Sequence, residues 1–269
     1  MLTGSIVTYH TPLVDLERVV DIVLNGEIDR IYVIDNSSND SLRIVERRTD
    51  KIRYIHSANI GYGGAHNIAI REAMALGAEY HIVLNSDISF APDVIPTLVK
   101  YMDEHPDVGQ IMPKVFYPDG RLQYLCKMVP TPLDLIFKRF LPEKLMRKRM
   151  EKFQLRFTGY KDVMNVPYLS GCFMLFRVSA LRDIGLFDER FFMYPEDIDI
   201  TRRMHRLYKT IFYPNVSIVH AHAAESKTNL RMLRIHIFNM IKYFNKWGWV
   251  FDKERAQMNK KLLKELKYE

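Results

Sequence analysis

Two short acidic stretches have residue types and spacings that could do chemistry. The first is Asn85-Ser86-Asp87, which follows the apolar run Ile82-Val83-Leu84. A carboxylate at the carboxyl end of a buried strand, with an amide two residues before it, can hold a divalent cation together with a sugar or phosphate group. The same three residue types also favour a strand-ending turn. The second stretch is Glu196-Asp197-Ile198-Asp199, which opens a helical pattern continued by Arg202 and Arg203. Carboxylates at a helix start suit the helix dipole. Glu196, Asp197 and Asp199 nevertheless point in different directions, so at least one is free to face a ligand crevice. A third candidate is His220 in His220-Ala221-His222, which follows a strand-like run. Spacing of two in an extended segment puts the two rings on opposite faces, so at most one of them joins a given site.

A glycine-rich loop adds a ligand-binding possibility. Asn59-Ile60-Gly61-Tyr62-Gly63-Gly64-Ala65-His66-Asn67 precedes an Ala/Ile/Met-rich helix. Such a loop lets backbone approach a phosphate, and it equally serves as a plain helix entry. It is neither a Walker A loop nor a dinucleotide fingerprint, because no Gly-Lys-Ser/Thr follows and it comes after the third strand, not the first.

The elements that must position these residues read as alternating strands and helices. Strands are expected at 5–9, 31–34, 52–55, 82–84 and from 108. Helices are expected at 14–24, 41–49, 63–76 and 92–104, the last with Pro92 in its first turn. Strands separated by helices of this length imply right-handed crossovers and a mostly parallel sheet. The strand-to-helix loops then share one edge, which gathers Tyr9-His10, Asp35-Asn36, 59–64 and 85–87 around one crevice. Further on, 168–177 reads as one buried strand, and 179–184 as a helix capped by Ser179 and stopped by Gly185. Residues 211–213 and 216–219 read as strands.

Composition narrows the class. A chain of 269 residues with 48% hydrophobic content can form one large core. Two cysteines do not suggest a disulfide framework, which fits a reducing, cytosolic setting. No signal peptide and no spanning helix is expected. The net charge of +7 gathers in 137–157 and after Lys227. The first of these segments carries Lys138, Arg139, Lys144, Arg147, Lys148, Arg149, Lys152 and Arg156 against Glu143 and Glu151, with apolar residues interleaved. It reads as a basic amphipathic segment at an anionic membrane surface, or as a solvated helix over the core. Residues 229–249 place Leu230, Leu233, Ile237, Met240, Ile241, Phe244 and Trp247 on one stripe, a membrane-interface or docking helix, and 252–269 reads as a peripheral polar tail. No recognised nucleic-acid motif accompanies the basic residues, so no nucleic-acid partner is expected.

Taken in order, the motifs resemble inverting family 2 glycosyltransferases with the GT-A fold, in particular their rhamnosyltransferase-like branch. The resemblance covers about residues 3–225. It rests on Val7-Thr8-Tyr9, Asp35-Asn36-Ser37, Asn59-Ile60-Gly61 with Asn67, Leu84-Asn85-Ser86-Asp87, Ser170-Gly171-Cys172-Phe173-Met174, Gly185 to Phe192, Glu196-Asp197-Ile198-Asp199, and Val219-His220 with Ser226. It implies a Rossmann-like, mostly parallel mixed sheet over 1–225 with a basic insertion at 137–157, and a helical extension over 226–269. It implies a nucleotide-diphosphate-sugar donor, with dTDP-rhamnose the first expectation. The acceptor would be a saccharide or polyprenyl-diphosphate-linked hydroxyl in cell-surface polysaccharide synthesis.

By the same resemblance Thr8, His10, Asp35 and Asn36 line the nucleoside pocket. Asn59, Gly61 and Asn67 lie near the base and diphosphate. Asn85 faces the ribose and Ser86 the donor, and Arg203 completes the donor contacts. Asp87 and His220 hold Mg2+ or Mn2+. Asp197 is the general base, with Glu196 and Asp199 beside it. The sequence departs from the family pattern at Asn85, which removes one charge from the DxD position, and at His10, where Asn is frequent. It lacks the QxxRW signature of processive synthases and a Gly before Tyr208. Two other classes are a nucleotidyltransferase and a non-catalytic nucleotide-sugar-binding protein. The first wants a glycine-rich basic loop after the first strand, and residues 8–14 contain neither Gly nor Lys. The second predicts that Asp197 is dispensable.

Overall fold

The computed structural model describes residues 1–136, 141–221 and 230–268. The amino-terminal half alternates as the apolar pattern requires: β1 (Leu2–Thr8), α1 (Leu13–Leu24), β2 (Arg30–Asp35), a 3-10 turn (Ser41–Arg48), β3 (Ile52–His56), α2 (Tyr62–Ala75), β4 (Tyr80–Leu84), β5 (Ile88–Phe90), α3 (Val94–Glu104) and β6 (Val108–Phe116). The remainder comprises β7 (Cys126–Lys127), α4 (Pro132–Leu135), α5 (Glu143–Phe153), β8 (Met164–Asn165), β9 (Tyr168–Leu169), β10 (Phe173–Arg177), α6 (Val178–Ile184), α7 (Glu196–Leu207), β11 (Lys209–His220), α8 (Leu230–Trp247) and α9 (Lys253–Glu265).

Among the described residues one sheet runs β3-β2-β1-β4-β10-β6-β11-β5, with β8 beside β11. β3, β2, β1 and β4 are mutually parallel, as are β6 and β11, while β10 runs antiparallel between β4 and β6. This is the expected mixed sheet flanked by helices. The carboxyl ends of β1, β2 and β4 therefore lie along one edge, carrying Thr8, Asp35 and Leu84. The strands bury both faces: every residue of β4 is buried, as are most of β1 and β2.

Five expectations need correction. Residues 168–177 are not one strand: Ser170-Gly171-Cys172 turns, and Tyr168-Leu169 pairs with Cys126-Lys127 in a separate small sheet. The turn frees residue 171 for polar contacts described below. Helix α3 begins at Val94, beyond Pro92. Helix α6 is preceded by Arg177, so Ser179 lies within its first turn and does not cap it, although Gly185 does terminate it at φ 79°. The two carboxyl-terminal strand runs are one strand with a register shift between Tyr213 and Ser217. The tail beyond residue 252 is not peripheral: Leu262 joins the main core and Arg255 is buried. In the basic segment, α5 buries Met146 and Phe153 and exposes Lys144, Arg147 and Lys148, while Arg149 and Lys152 are half-buried. Residues 137–140, His222 and Ser226 lie outside the described residues.

Candidate functional site

The edge formed by β1, β2 and β3 carries a cleft of about 430 Å³ lined by Tyr9, His10, Asn36, Ser37, Ser38, His56, Ser57, Ala58 and Asn59. It joins three strand ends, because β1, β2 and β3 each stop there and hand over to polar loops. Asp35 does not itself line the cleft. It is fully buried and accepts hydrogen bonds from Thr8 Oγ1 (3.1 Å), Ser37 N (3.0 Å), Ser37 Oγ (2.6 Å) and Tyr54 Oη (2.7 Å). Thr8 and Asp35 thus shape the cleft floor from behind, and Ser37 in turn accepts from the His10 backbone N–H at 2.8 Å. His10 sits at φ 53°, a turn conformation tolerated by His more than by most residues.

The glycine loop closes one end of this edge. Gly61 has φ 87°, and a Cβ there would collide with the Phe192 carbonyl, to which Tyr62 N donates at 2.9 Å. Asn59 Oδ1 accepts from Gly61 N at 3.2 Å, fixing the turn into α2. Asn67 is not at the cleft. Its Oδ1 accepts from Phe187 N (3.0 Å), and its Nδ2 donates to Phe187 O (2.9 Å) and Glu189 Oε1 (3.0 Å), so it clips α2 to the loop before α7. Its amide is engaged within the fold, away from the cleft residues with which it was expected to share the donor.

The Asn85-Ser86-Asp87 turn lies just past β4, and all three side chains are half-buried. His220, at the end of β11, points Nε2 to Asp87 Oδ1 (3.3 Å) and to Asn85 Nδ2 (3.3 Å). Its Nδ1 faces Gln123 Oε1 at 3.1 Å. Burial alone would lower this imidazole; hydrogen bonding and charge from Asp87 and Cys172 outweigh it and lift the ring to about 10. A carboxylate beside an imidazole whose second nitrogen is held by an outer acceptor is a donor pair suited to a divalent cation. Among the described residues no third His, Cys, Asp or Glu completes a protein cage. A cation there would take its other ligands from water and phosphate, as Mg2+ commonly does.

The third part is the start of α7. Asp197 is buried; its Oδ2 accepts from Gly171 N at 3.0 Å and its Oδ1 from Ile198 N at 2.7 Å. Burial pushes its carboxyl up to about 6, against the opposing pull of Lys127 and of backbone N–H groups. Glu196, equally buried and with Oε2 lacking a partner, is driven well above the usual carboxylate range by burial and by the Asp197 charge. Tyr62 links this pair to the Asn85 turn, since its hydroxyl lies 2.8 Å from Gly171 O and 2.9 Å from Asn85 Oδ1.

Asp199 and Arg203 belong elsewhere. Asp199 is fully buried and accepts from Arg203 Nε (2.9 Å), Trp247 Nε1 (2.8 Å) and Lys246 Nζ (2.6 Å). Arg203 also donates to the carbonyls of Ile184, Gly185 and Leu186. One helical turn beyond Asp197, these side chains bolt α7 to α8 and to the loop after α6. The structure therefore does not bring Asp199 and Arg203, expected at the catalytic and donor sites, together with Asp197 and the Asn85 turn; it engages them in packing α7 against α8 and the loop after α6. Conversely, Tyr62, Gly171 and Lys127 join the site without having been singled out. Tyr62 carried one signal, its place directly after Gly61 in the glycine-rich loop; Lys127 carried none, since only the β7–β9 pairing brings it near.

The sequence model described as Glycosyl transferase family 2 matches residues 6–185. The N-acetylglucosaminyl-diphospho-decaprenol L-rhamnosyltransferase of Mycobacterium tuberculosis is 26% identical over 211 residues, 73% of this chain and 67% of that protein. Rhamnosyltransferase WbbL of Escherichia coli K12 is 25% identical over 230 residues, covering 82% of this chain and 84% of that one. Among solved structures, the mannosyltransferase PcManGT from Pyrobaculum calidifontis, in complex with GDP-Man and Mn2+, superposes with a TM-score of 0.57 at 18% identity, covering 90% of this chain and 64% of that one.

Proposed function

From the premise that the chain belongs to glycosyl transferase family 2, we propose that it transfers rhamnose from dTDP-rhamnose, with inversion, to a polyprenyl-diphosphate-linked saccharide. The glycosyltransferase activity and a place in cell-wall polysaccharide synthesis follow from the family and its rhamnosyltransferase relatives. The donor sugar, the lipid-linked acceptor and the residue roles are the proposal.

The observation that carries it is the continuous polar path Asp87–His220–Asn85–Tyr62–Gly171–Asp197, in which each neighbour is within 3.3 Å of the next. It joins a cation-type donor pair to a buried carboxylate. In the reading, the nucleoside occupies the cleft of Tyr9, His10, Asn36 and Asn59. The diphosphate lies toward Gly61 and Asn85-Ser86-Asp87. Asp197 takes the proton of the acceptor hydroxyl as its oxygen bonds to the anomeric carbon, while the bond from that carbon to the diphosphate breaks on the opposite face. An acid held near 6 is ionised at neutral pH and basic enough to accept that proton. Asp87 and His220 would hold Mg2+ or Mn2+, which supplies Lewis-acid stabilisation of the leaving diphosphate. In the same reading Glu196, whose buried Oε2 lacks a partner in the fold, positions a sugar hydroxyl beside Asp197.

No helix among the described residues is long and apolar enough to cross a membrane. The lipid-linked acceptor therefore goes with peripheral attachment to the anionic cytoplasmic face, supported by the exposed cations Lys144, Arg147 and Lys148 of α5.

The test is a transfer assay with dTDP-rhamnose, UDP-GlcNAc and GDP-mannose against a polyprenyl-diphosphate-linked saccharide, with Mg2+ or Mn2+. Rhamnosylated lipid, with the anomeric configuration inverted by NMR, is expected. Transfer of another sugar in preference, or transfer with retention, would overturn the donor or the mechanism respectively.

A further inference from the structure

We propose that Trp249-Val250-Phe251, the turn joining α8 to α9, is a contact site for an anionic lipid surface, fixed in height relative to Asp197. The proposal rests on the peripheral reading above and deepens it.

The turn reverses the usual distribution of polarity. Phe251 is 94% exposed and Val250 74%, whereas the next residue, Asp252, has a side chain only 3% exposed. A soluble surface tolerates single exposed apolar residues, but adjacent ones facing out beside a buried acid call for a reason. Fraying is not that reason. The buried Arg255 guanidinium gathers the turn's carbonyls, at 3.5 Å from Gly248 O, 3.4 Å from Trp249 O and 3.0 Å from Val250 O. Trp249 is pinned by Nε1 to Asn245 Oδ1 at 2.8 Å and packs on Phe244. The apolar side chains are presented, not loose.

Charge selects the occupant. Lys253 is exposed directly after the turn. Arg255 also reaches Pro130 O at 3.4 Å, and the neighbouring Thr131 and Asp134 are bound by Arg149 of α5. That helix turns Lys144, Arg147 and Lys148 to solvent, together with Leu145 at 72% exposure. Aromatic and aliphatic side chains among cations fit the interface of an anionic bilayer, where rings sit at headgroup level and each cation adds attraction. A second copy of the chain would instead bring the same cations against these, in a molecule already at +7.

The turn is also coupled to the catalytic helix. Asp252 binds Arg202 through both oxygens, at 2.8 Å and 2.7 Å, and Glu254 adds 2.8 Å and 3.1 Å. Arg202 is 1% exposed and lies on α7, the helix that begins with Glu196-Asp197. A lipid surface touching Phe251 is therefore one residue from a buried ion pair that holds the base's own helix.

The full chain and its V250S/F251S variant are compared by flotation with vesicles of phosphatidylglycerol and phosphatidylcholine, and with phosphatidylcholine alone. Both side chains point to water, so the variant keeps its melting temperature and its transfer rate to a water-soluble acceptor analogue. The expected result is at least tenfold weaker partition of the variant onto anionic vesicles, with a matching loss of transfer to vesicle-borne acceptor. Wild-type binding that the variant retains in full would overturn the site while leaving peripheral attachment standing on another surface. Wild-type protein that ignores anionic vesicles would overturn both. A sedimentation mass that falls in the variant while vesicle partition does not would make the occupant a second copy and overturn the proposal.

Discussion

The Gly171 N–H donates to Asp197 Oδ2 at 3.0 Å, so the carboxylate proposed as base is oriented by backbone, not by another titrating group. The same residue's carbonyl faces Tyr62 Oη at 2.8 Å. One residue in a turn between β9 and β10 thereby ties the start of α7 to the start of α2. Because the donor is a main-chain group, it orients the carboxylate without itself exchanging a proton.

Replacing Asp197 with Asn should remove transfer by about 100- to 10,000-fold, the usual worth of a positioned general base. Donor binding, measured by calorimetry, should change little. The wild-type rate should fall about tenfold per pH unit below about 6, where the carboxyl is protonated, and level off above it. A rate that holds constant from pH 7 to pH 5 would remove Asp197 from the role.

The same substitution should have an opposite effect on stability. A carboxyl lifted from 3.8 to about 6 binds its proton more tightly folded than unfolded, so its contribution is full below the unfolded value and is lost as pH rises through about 6. Above that, ionised Asp197 costs about 3 kcal/mol at 1.36 kcal/mol per unit. The melting temperature of Asp197→Asn relative to wild type should therefore climb between pH 4.5 and pH 7.5. A difference independent of pH would show that burial does not perturb the group.

Much of the amino-terminal frame was legible because its strands are short apolar runs ending in polar loops. Asp35, Asn59 and Asn85-Ser86-Asp87 could be assigned to one edge from alternation alone. What the pattern could not convey was which polar groups are already satisfied. Asn67 and Asp199 sit in motifs beside residues of the sheet edge, yet their partners Phe187, for one, and Trp247, for the other, lie 120 and 48 residues distant in sequence. Long-range pairing also hid Lys127 and the burial of α9. The break at Ser170-Gly171-Cys172 was obscured because small residues fit a buried strand as well as a turn.

Asp199→Asn should act on the fold and only indirectly on chemistry. It removes one charge from a buried set with Arg203 and Lys246, whose loss typically costs several kcal/mol. The expected signature is a lowered melting temperature with an unchanged pH profile of the surviving rate. A profile shifted by more than half a unit would return Asp199 to the titrating site.

Divalent-cation binding should release a proton. His220 is lifted to about 10 by Asp87 and Cys172 against its burial, and an imidazole must be neutral to ligate a metal. Apparent affinity for Mn2+ in the presence of nucleoside diphosphate should therefore strengthen as pH rises from 6.5 to 8.5, approaching tenfold per unit. His220→Asn should flatten that dependence and weaken binding, while Asp87→Ala should abolish the metal requirement of donor binding. Affinity independent of pH would separate His220 from the cation.

Acid should destabilise the sheet through two histidines that no ligand reaches. His81 bridges Thr3 Oγ1 (2.8 Å) and Ser5 Oγ (2.9 Å), and Ser5 Oγ also meets His66 Nδ1 at 2.7 Å, all fully buried. Burial depresses His81 to about 3 and drives His66 well below its ordinary value of 6.5. A depressed imidazole favours the folded state while neutral, so this stability is complete above about 6.5 and erodes as the unfolded chain takes up protons below it. Each ring contributes a slope of about 1.4 kcal/mol per pH unit between its unfolded and folded values. Denaturant midpoints should drop steadily from pH 6.5 to pH 4.5. Replacing His81 with Gln, which can still span two hydroxyls, should reduce the slope by close to one proton. An unchanged slope would mean that the buried pair is not what titrates.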